Sequence, residues 1–268
     1  QRTQESISKI ETLTTGQSSN NLWFDYRCGV ITASVAHEVL CKYRRKNPTA
    51  SSIENLVGKI LGYEKPLRTA SLSWGIENEA VARKRYVRQN KSSHKHLKCY
   101  ESGLKLHPEM VMLGASVDGM VECSCCGDIC LESGNQVSIF TQGEDCWRIL
   151  YVQQPDSCLE NFLSTDTKYR LKPGHKYYTQ VQHQLFITGS SSADFVVYLP
   201  KESCTVSVTK ETSYSEVSVP LLVDFFQHHL LPELLGRDIL KKYICKEILR
   251  EIVKMQQTLL IIKKCKRS

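Results

Sequence analysis

Leu113 to Gly134 reads LGASVDGMVECSCCGDICLESG. An apolar start runs through Ala115 to Asp118-Gly119, a turn signal, and on to Met120-Val-Glu-Cys123. That pattern predicts a buried strand, a tight turn and a second strand, a hairpin with an acid at its tip. Ile129-Cys-Leu-Glu132 reads as a third strand that ends in a second acid. Four cysteines, Cys123, Cys125, Cys126 and Cys130, lie within eight positions between the two acids. The stretch therefore poses two chemistries, an oxygen-ligand site and a sulfur-ligand site.

Upstream, Tyr100 to Leu106 alternates like a strand and Met110 to Ala115 reads as a buried one. Ser73 to Gln89 (SWGIENEAVARKRYVRQ) has helix composition, with Ile76, Ala80 and Tyr86 as its expected buried face. Glu79 sits on this helix, and Arg83, Lys84, Arg85 and Arg88 supply charge. Residues 51–62 start with Ser and stop at Gly, as a helix does. Arg27-Cys-Gly-Val-Ile-Thr-Ala-Ser34 places an arginine just before a helix start for which Thr32 is the expected N-cap. Residues 1–20 are a polar N-terminal segment that ends in a linker-like run.

Downstream, residues 133–170 carry no sustained period. His175 to Thr188 returns to helical spacing, Ala193 to Leu199 and Thr205 to Thr209 read as strands, and 217–235 and 237–263 as amphipathic helices. The order gives one α/β domain over residues 21–210, a sheet covered by helices, followed by C-terminal helices over 211–268.

Composition bounds the class. The chain has 268 residues, 41% hydrophobic and 24% charged, which is globular usage. No apolar run reaches the ~18 residues of a membrane span, so a soluble intracellular protein of nucleus or cytoplasm is expected. A net charge of +7 suits a polyanion partner. Twelve scattered cysteines without a secretory leader read as reduced thiols rather than a disulfide scaffold.

The acids at element ends carry the chemistry. Glu79, Asp118 and Glu132, brought together, would be an oxygen-ligand site suited to Mg²⁺ or Mn²⁺. Such an ion neutralises a phosphodiester oxygen, lowers the pKa of a bound water and steadies the leaving oxygen. Arg27 can grip a phosphate with two parallel hydrogen bonds, beside a helix start that offers free N–H groups, and Ser34 adds a donor. In Tyr177-Tyr-Thr-Gln-Val-Gln182 two amides lie one residue apart on a helix, so they face different ways and one of them can face a cleft to hold a water or a phosphate.

Taken together, Arg27 to Ser34, Trp74-Gly-Ile-Glu-Asn-Glu79, Gly114-Ala-Ser-Val-Asp-Gly119 and Tyr177 to Gln182 resemble the YqaJ-type viral recombinase family. Its relative is the exonuclease of bacteriophage lambda, in the restriction-endonuclease-like PD-(D/E)XK superfamily. Asp194-Phe-Val-Val197 fits the same pattern, and the likeness spans about Trp23 to Leu199. The resemblance implies a central mixed sheet of about five strands flanked by helices, with extra helices at both ends. It implies a Mg²⁺- or Mn²⁺-dependent exonuclease that degrades one strand of duplex DNA from a 5′-phosphate end. Such nucleases can assemble as ring-shaped trimers around DNA. By position, Arg27 and Ser34 match phosphate-binding residues, with Ser116 and Gln182 on the same DNA side. Asp118 matches the first acid, Glu79 the helix-borne acid and Gln180 the helix glutamine near the active site.

One element departs from the family. Its second half-motif is Glu-x-Lys, and here Glu132 is followed by Ser133 and Gly134. Residues 133–154 are atypical, and family-like sequence resumes near Ser157-Cys-Leu-Glu160. Three readings stand: a segment from splicing or a faulty gene model, a degenerate copy, or a lysine from elsewhere, Lys168 or Lys172. Without that lysine the expected protein binds DNA ends and metal but cleaves weakly. A second class of function is a non-catalytic DNA- or partner-binding module on the same fold. The third is a zinc-binding interaction protein built on Cys123, Cys125, Cys126 and Cys130. Their crowding into eight residues favours small structural cysteines over zinc.

Overall fold

The computed structural model describes residues 4–44, 48–64, 70–125, 135–140, 163–164, 170–198, 203–242 and 244. Helices α1 (Gln4–Leu13) and α2 (Asn21–Arg27) lead into a two-residue strand β1 (Ile31–Thr32), then α3 (Ala33–Tyr43), α4 (Ala50–Ile60) and α5 (Ala70–Asn90). Strands β2 (Lys98–Tyr100), β3 (Leu104–Leu106), β4 (Leu113–Ser116), β5 (Gly119–Glu122), β6 (Asn135–Phe140), β7 (Leu163–Ser164) and β8 (Arg170–Leu171) follow. Next come α6 (Lys176–Thr188), β9 (Ser192–Tyr198) and β10 (Ser203–Thr209).

A five-stranded mixed sheet runs in the order β10-β9-β6-β5-β2, with β6 and β9 parallel and the other pairs antiparallel. A second sheet runs β1-β4-β3, with β1 parallel to β4. The central mixed sheet of five strands flanked by helices expected from the sequence is what forms.

The turn assignment at Asp118-Gly119 does not hold. Neither residue has positive φ, which the favoured two-residue hairpin turns require. The hairpin instead turns between β3 and β4, where Leu113 N–H bonds Met110 O and His107 N–H bonds Leu113 O. Across it, Leu106 faces Gly114 and Leu104 faces Ser116, and in the same register Tyr100 faces Met120 and Lys98 faces Glu122. Residues 98–106 and 114–122 are thus one long antiparallel pair, interrupted at 101–103 and 117–118. Asp118 sits at the interruption, where the chain passes from one sheet to the other.

A break in a buried ladder leaves carbonyls and N–H groups that must find partners. The N-terminal segment supplies them. The Gln17 side-chain amide donates to both Ser102 O (3.0 Å) and Val117 O (2.8 Å), one from each strand. Thr14 Oγ1 accepts from Leu104 N at 2.7 Å. A Cβ on Gly103 would lie 1.9 Å from Glu11 O, so only glycine lets α1 approach this closely. Residues 4–20, read from sequence as a polar segment added to the domain, wedge the break open and satisfy it.

Four apolar clusters hold the layers together. One lies between α3, α4, β4 and the C-terminal helix; a second between α6, β9 and β10; a third beneath α5; a fourth under α1 and α2. The expected buried face of α5 holds at Tyr86 and fails at Ile76 and Ala80. Ile76 is 38% exposed and Ala80 is exposed, whereas Ala82, Arg83 and Tyr86 are buried.

The C-terminal helical run, Tyr214 to Gly236, alternates π turns (Tyr214–Ser218, Phe226–Leu230) with α segments α7 (Val219–Phe225) and α8 (Leu231–Gly236). Pro220 and Pro232 each enter just after a π turn, where the widened helix accommodates a residue that has no N–H to donate. The expected helix over 237–263 is described only as far as residues 238–242 and 244. Among the described residues no helix is long and apolar enough to cross a membrane.

Candidate functional site

Arg27 closes α2, and its Nη2 donates to Thr32 Oγ1 (3.0 Å) and Ser34 Oγ (2.9 Å). Thr32 occupies the N-cap position of α3, but its side chain makes no cap bond, because the hydroxyl is held by Arg27. The guanidinium lies over the Trp23 ring, 4.2 Å from its centroid. Burial pulls Arg27 down to about 10, which still leaves it charged at neutral pH. One arginine, two hydroxyls and the start of α3 make a corner suited to an anion.

Trp23 ties this corner to the acid. Its indole N–H donates to Ser116 Oγ at 2.8 Å, two residues before Asp118. Ser116 O in turn accepts from Gln184 Nε2 at 3.3 Å. The structure thus joins Arg27, Ser34 and Ser116, all singled out from sequence, through Trp23, and Asp118 follows Ser116 by two residues.

On the far side of Asp118 stands α5. Arg83 Nη1 donates to Asp118 O at 2.9 Å and lies 3.8 Å from Glu79 Oε2, while Nη2 bonds Glu101. Burial pushes the Glu79 carboxyl well above its ordinary range; Arg83 opposes the shift and Glu101 adds to it. A Cβ on Gly119 would stand 2.6 Å from Cys99 Sγ and 3.4 Å from Arg83 Cδ, so the glycine is needed for this close packing rather than for a turn. Arg83, seen in sequence as surface charge, is the buried cation of the acid cluster. Its place on α5 beside Glu79, one turn away, was the available signal.

The two α6 amides separate. Gln182 is 1% exposed, and both ends of its amide serve backbone: Nε2 donates to Thr209 O (2.8 Å) and Oε1 accepts from Glu211 N (2.9 Å). It anchors α6 to the end of β10, with both ends of the amide already bonded to backbone. Gln180 is half-buried and shares its helix face with Gln184, four residues on, which the sequence reading passed over.

Glu132, Gly134, Cys126, Cys130 and the expected strand Ile129–Glu132 lie outside the described residues. The sheet position next to β5 is taken by β6, from the atypical segment: Val137 pairs with Gly119 on one side and Asp194 on the other. Its sequence, Asn135-Gln-Val-Ser-Ile-Phe140, holds no carboxylate and no lysine. Asp194 accepts from Tyr86 OH at 2.5 Å. Lys168 lies outside the described residues. Lys172 is exposed after β8, which packs beside β10.

Glu79 and Asp118 offer hard oxygen donors, which fit Mg²⁺ or Mn²⁺, and a buried carboxyl held above its usual range is one that a bound cation would ionise.

The same fold occurs in solved structures. The alkaline exonuclease LHK-Exo from Laribacter hongkongensis superposes with a TM-score of 0.53 at 20% identity, over 87% of this chain and 98% of that one. LHK-Exo in complex with dAMP gives 0.50 at 19%, over 87% and 98%. The KSHV SOX protein in its RNA complex gives 0.50 at 13%, over 83% and 73%. No curated protein matches the chain. Residues 22–191 match the model of the YqaJ-like viral recombinase domain, and the chain belongs to that family.

Proposed function

We propose that this chain is a recombination-type DNA exonuclease domain that grips 5′-phosphorylated duplex ends but cleaves weakly as its sequence stands. The observation that supports this reading is the hydrogen-bonded and stacked path from Arg27 through Trp23 and Ser116 toward Asp118. It sets an anion-binding corner beside a carboxylate cluster, as an exonuclease acting from a terminal phosphate requires. Arg27 and Ser34 bind the terminal phosphate. Trp23 and Gln184 hold Ser116 and the strand end in place. Arg83 fixes the backbone at Asp118, and Glu79 and Asp118 hold a divalent ion, Mg²⁺ or Mn²⁺. When bound, that ion supplies an activated water and neutralises phosphodiester charge. Gln180, on the cleft-facing side of α6, orients substrate or water.

The weak step is the lysine. A positioned lysine assists proton removal and balances transition-state charge, and losing such a group lowers rate by ~10²–10⁴-fold. Strand β6 beside Asp118 carries none.

The test compares binding of 5′-phosphorylated and 5′-hydroxyl duplexes. The reading predicts a preference for the phosphorylated end that Arg27→Ala removes. Equal affinity for the two ends would overturn it.

A further inference from the structure

His94 Nδ1, Cys123 Sγ and Cys125 Sγ form a nearly equilateral triangle. The edges are 3.5 Å (His94 to Cys123), 3.7 Å (His94 to Cys125) and 3.6 Å (sulfur to sulfur). Tetrahedral zinc, with Zn–S of about 2.3 Å and Zn–N of about 2.0–2.1 Å, requires ligand edges of about 3.8 Å between sulfurs and about 3.5 Å from sulfur to nitrogen. The triangle has the size and proportions of one face of that tetrahedron.

We propose that His94, Cys123 and Cys125 are three ligands of a zinc ion, whose fourth position is open to a further donor. Two sulfurs and an imidazole are soft-to-borderline donors that select zinc over the hard ions suited to Glu79 and Asp118. This is therefore a second metal site with its own chemistry.

The surroundings fit ligation. Lys95 N–H donates to Cys125 Sγ at 3.2 Å, a bond that stabilises thiolate. Ser124 N–H donates to Lys95 O at 2.9 Å, and the Ser124 hydroxyl bonds His96 Nδ1 at 2.8 Å, so the two loops are laced together around the triangle. Cys123 packs against the cluster of Ala82, Tyr86, Leu97 and Val121.

Crowding of four cysteines into eight residues argues against zinc only while the ligands are sought within that window. The nitrogen comes from the loop after α5, 29 residues before Cys123. The ion would pin that loop to the end of β5. The helix carrying Glu79 and Arg83 would then be held in register with the strand that begins after Asp118, and the zinc would act as a scaffold for the carboxylates without touching substrate.

The experiment is metal analysis of the full chain after exhaustive dialysis against metal-free buffer. Retention of about one zinc per chain is expected, cut to below about a tenth by His94→Ala and by Cys125→Ser and left intact by Asp118→Ala. Replacement with cobalt(II) in the unmutated chain reads the geometry even if a ligand variant fails to fold. Intense visible bands with sulfur-to-cobalt charge transfer are expected. Less than a tenth of a zinc per chain, full retention by both ligand variants, or the faint spectrum of octahedral cobalt would each overturn the assignment.

Discussion

The phosphate side of the proposed site is contiguous in the chain. Arg27, Thr32 and Ser34 fall within eight residues, and all three are joined in the fold. The carboxylate side is assembled from α5, the break between β4 and β5, and the strand that lies beside Asp118. Its members are tens of residues apart, and the β6 strand comes from the atypical segment. A site whose groups are spaced by one helix start survives as a unit. A site drawn from several elements can lose one member and keep the rest, which is the state proposed here.

The largest expected effect falls on the carboxylate side. Asp118→Ala should weaken Mn²⁺ binding by more than the ~10–100-fold that loss of a mere outer-shell partner costs. Titration calorimetry without DNA reads this directly. Unchanged affinity would remove Asp118 from the metal site.

Next in size is an effect shared by both sides. His183 is fully buried, with Nδ1 2.8 Å from Tyr214 OH, and burial holds it down to about 4. Its folded value lies below its unfolded value of about 6.5, so the unfolded chain takes the proton first as pH falls. Stability is complete above about pH 6.5 and is lost as pH falls toward 4, by about 3 kcal/mol. Urea midpoints against pH should show this slope, and His183→Leu should flatten it.

Arg27→Ala tests the phosphate side alone. Loss of a charge-assisted contact worth about 1.5–3 kcal/mol predicts about 10- to 100-fold weaker binding of a 5′-phosphorylated end. Mn²⁺ affinity should stay within about twofold, since Arg27 spends its hydrogen bonds on Thr32 and Ser34 rather than on a carboxylate. A matching loss of metal binding would mean the two sides are one unit.

The smallest effect sharpens how the break is held. Gln17→Leu strips donors from Ser102 O and Val117 O and should cost about 1–3 kcal/mol of stability by urea unfolding. No change would mean that water replaces the amide without loss.

What could be read from sequence follows the range of the interactions. Arg27, Ser34, Ser116 and Asp118 were singled out because their motifs are local, the strand at 193–199 because it is an apolar run and that at 205–209 because it alternates. The Asp118-Gly119 turn was misread because an Asp-Gly pair looks the same in a hairpin tip and in a break between sheets. The break is held by Glu11, Thr14 and Gln17, which pack from about a hundred residues away, and by Arg83 of α5. The face of α5 was misread at Ile76 and Ala80 because the helix buries Arg83 and half-buries Glu79 and leaves Ile76 exposed, against the hydrophobic pattern. Gln182 was misread because a buried amide that bonds backbone has no signature apart from its fold. His94 escaped because nothing local links it to cysteines that follow four strands later in the chain.

The most direct test of the account is digestion of a 5′-phosphorylated duplex with Mg²⁺, with end binding followed on the same sample. The account predicts binding that Arg27→Ala weakens, together with cleavage slower by ~10²–10⁴-fold than a lysine-bearing active site would give. Robust cleavage, abolished by Asp118→Ala, would contradict it and place a working catalytic cation beside β5.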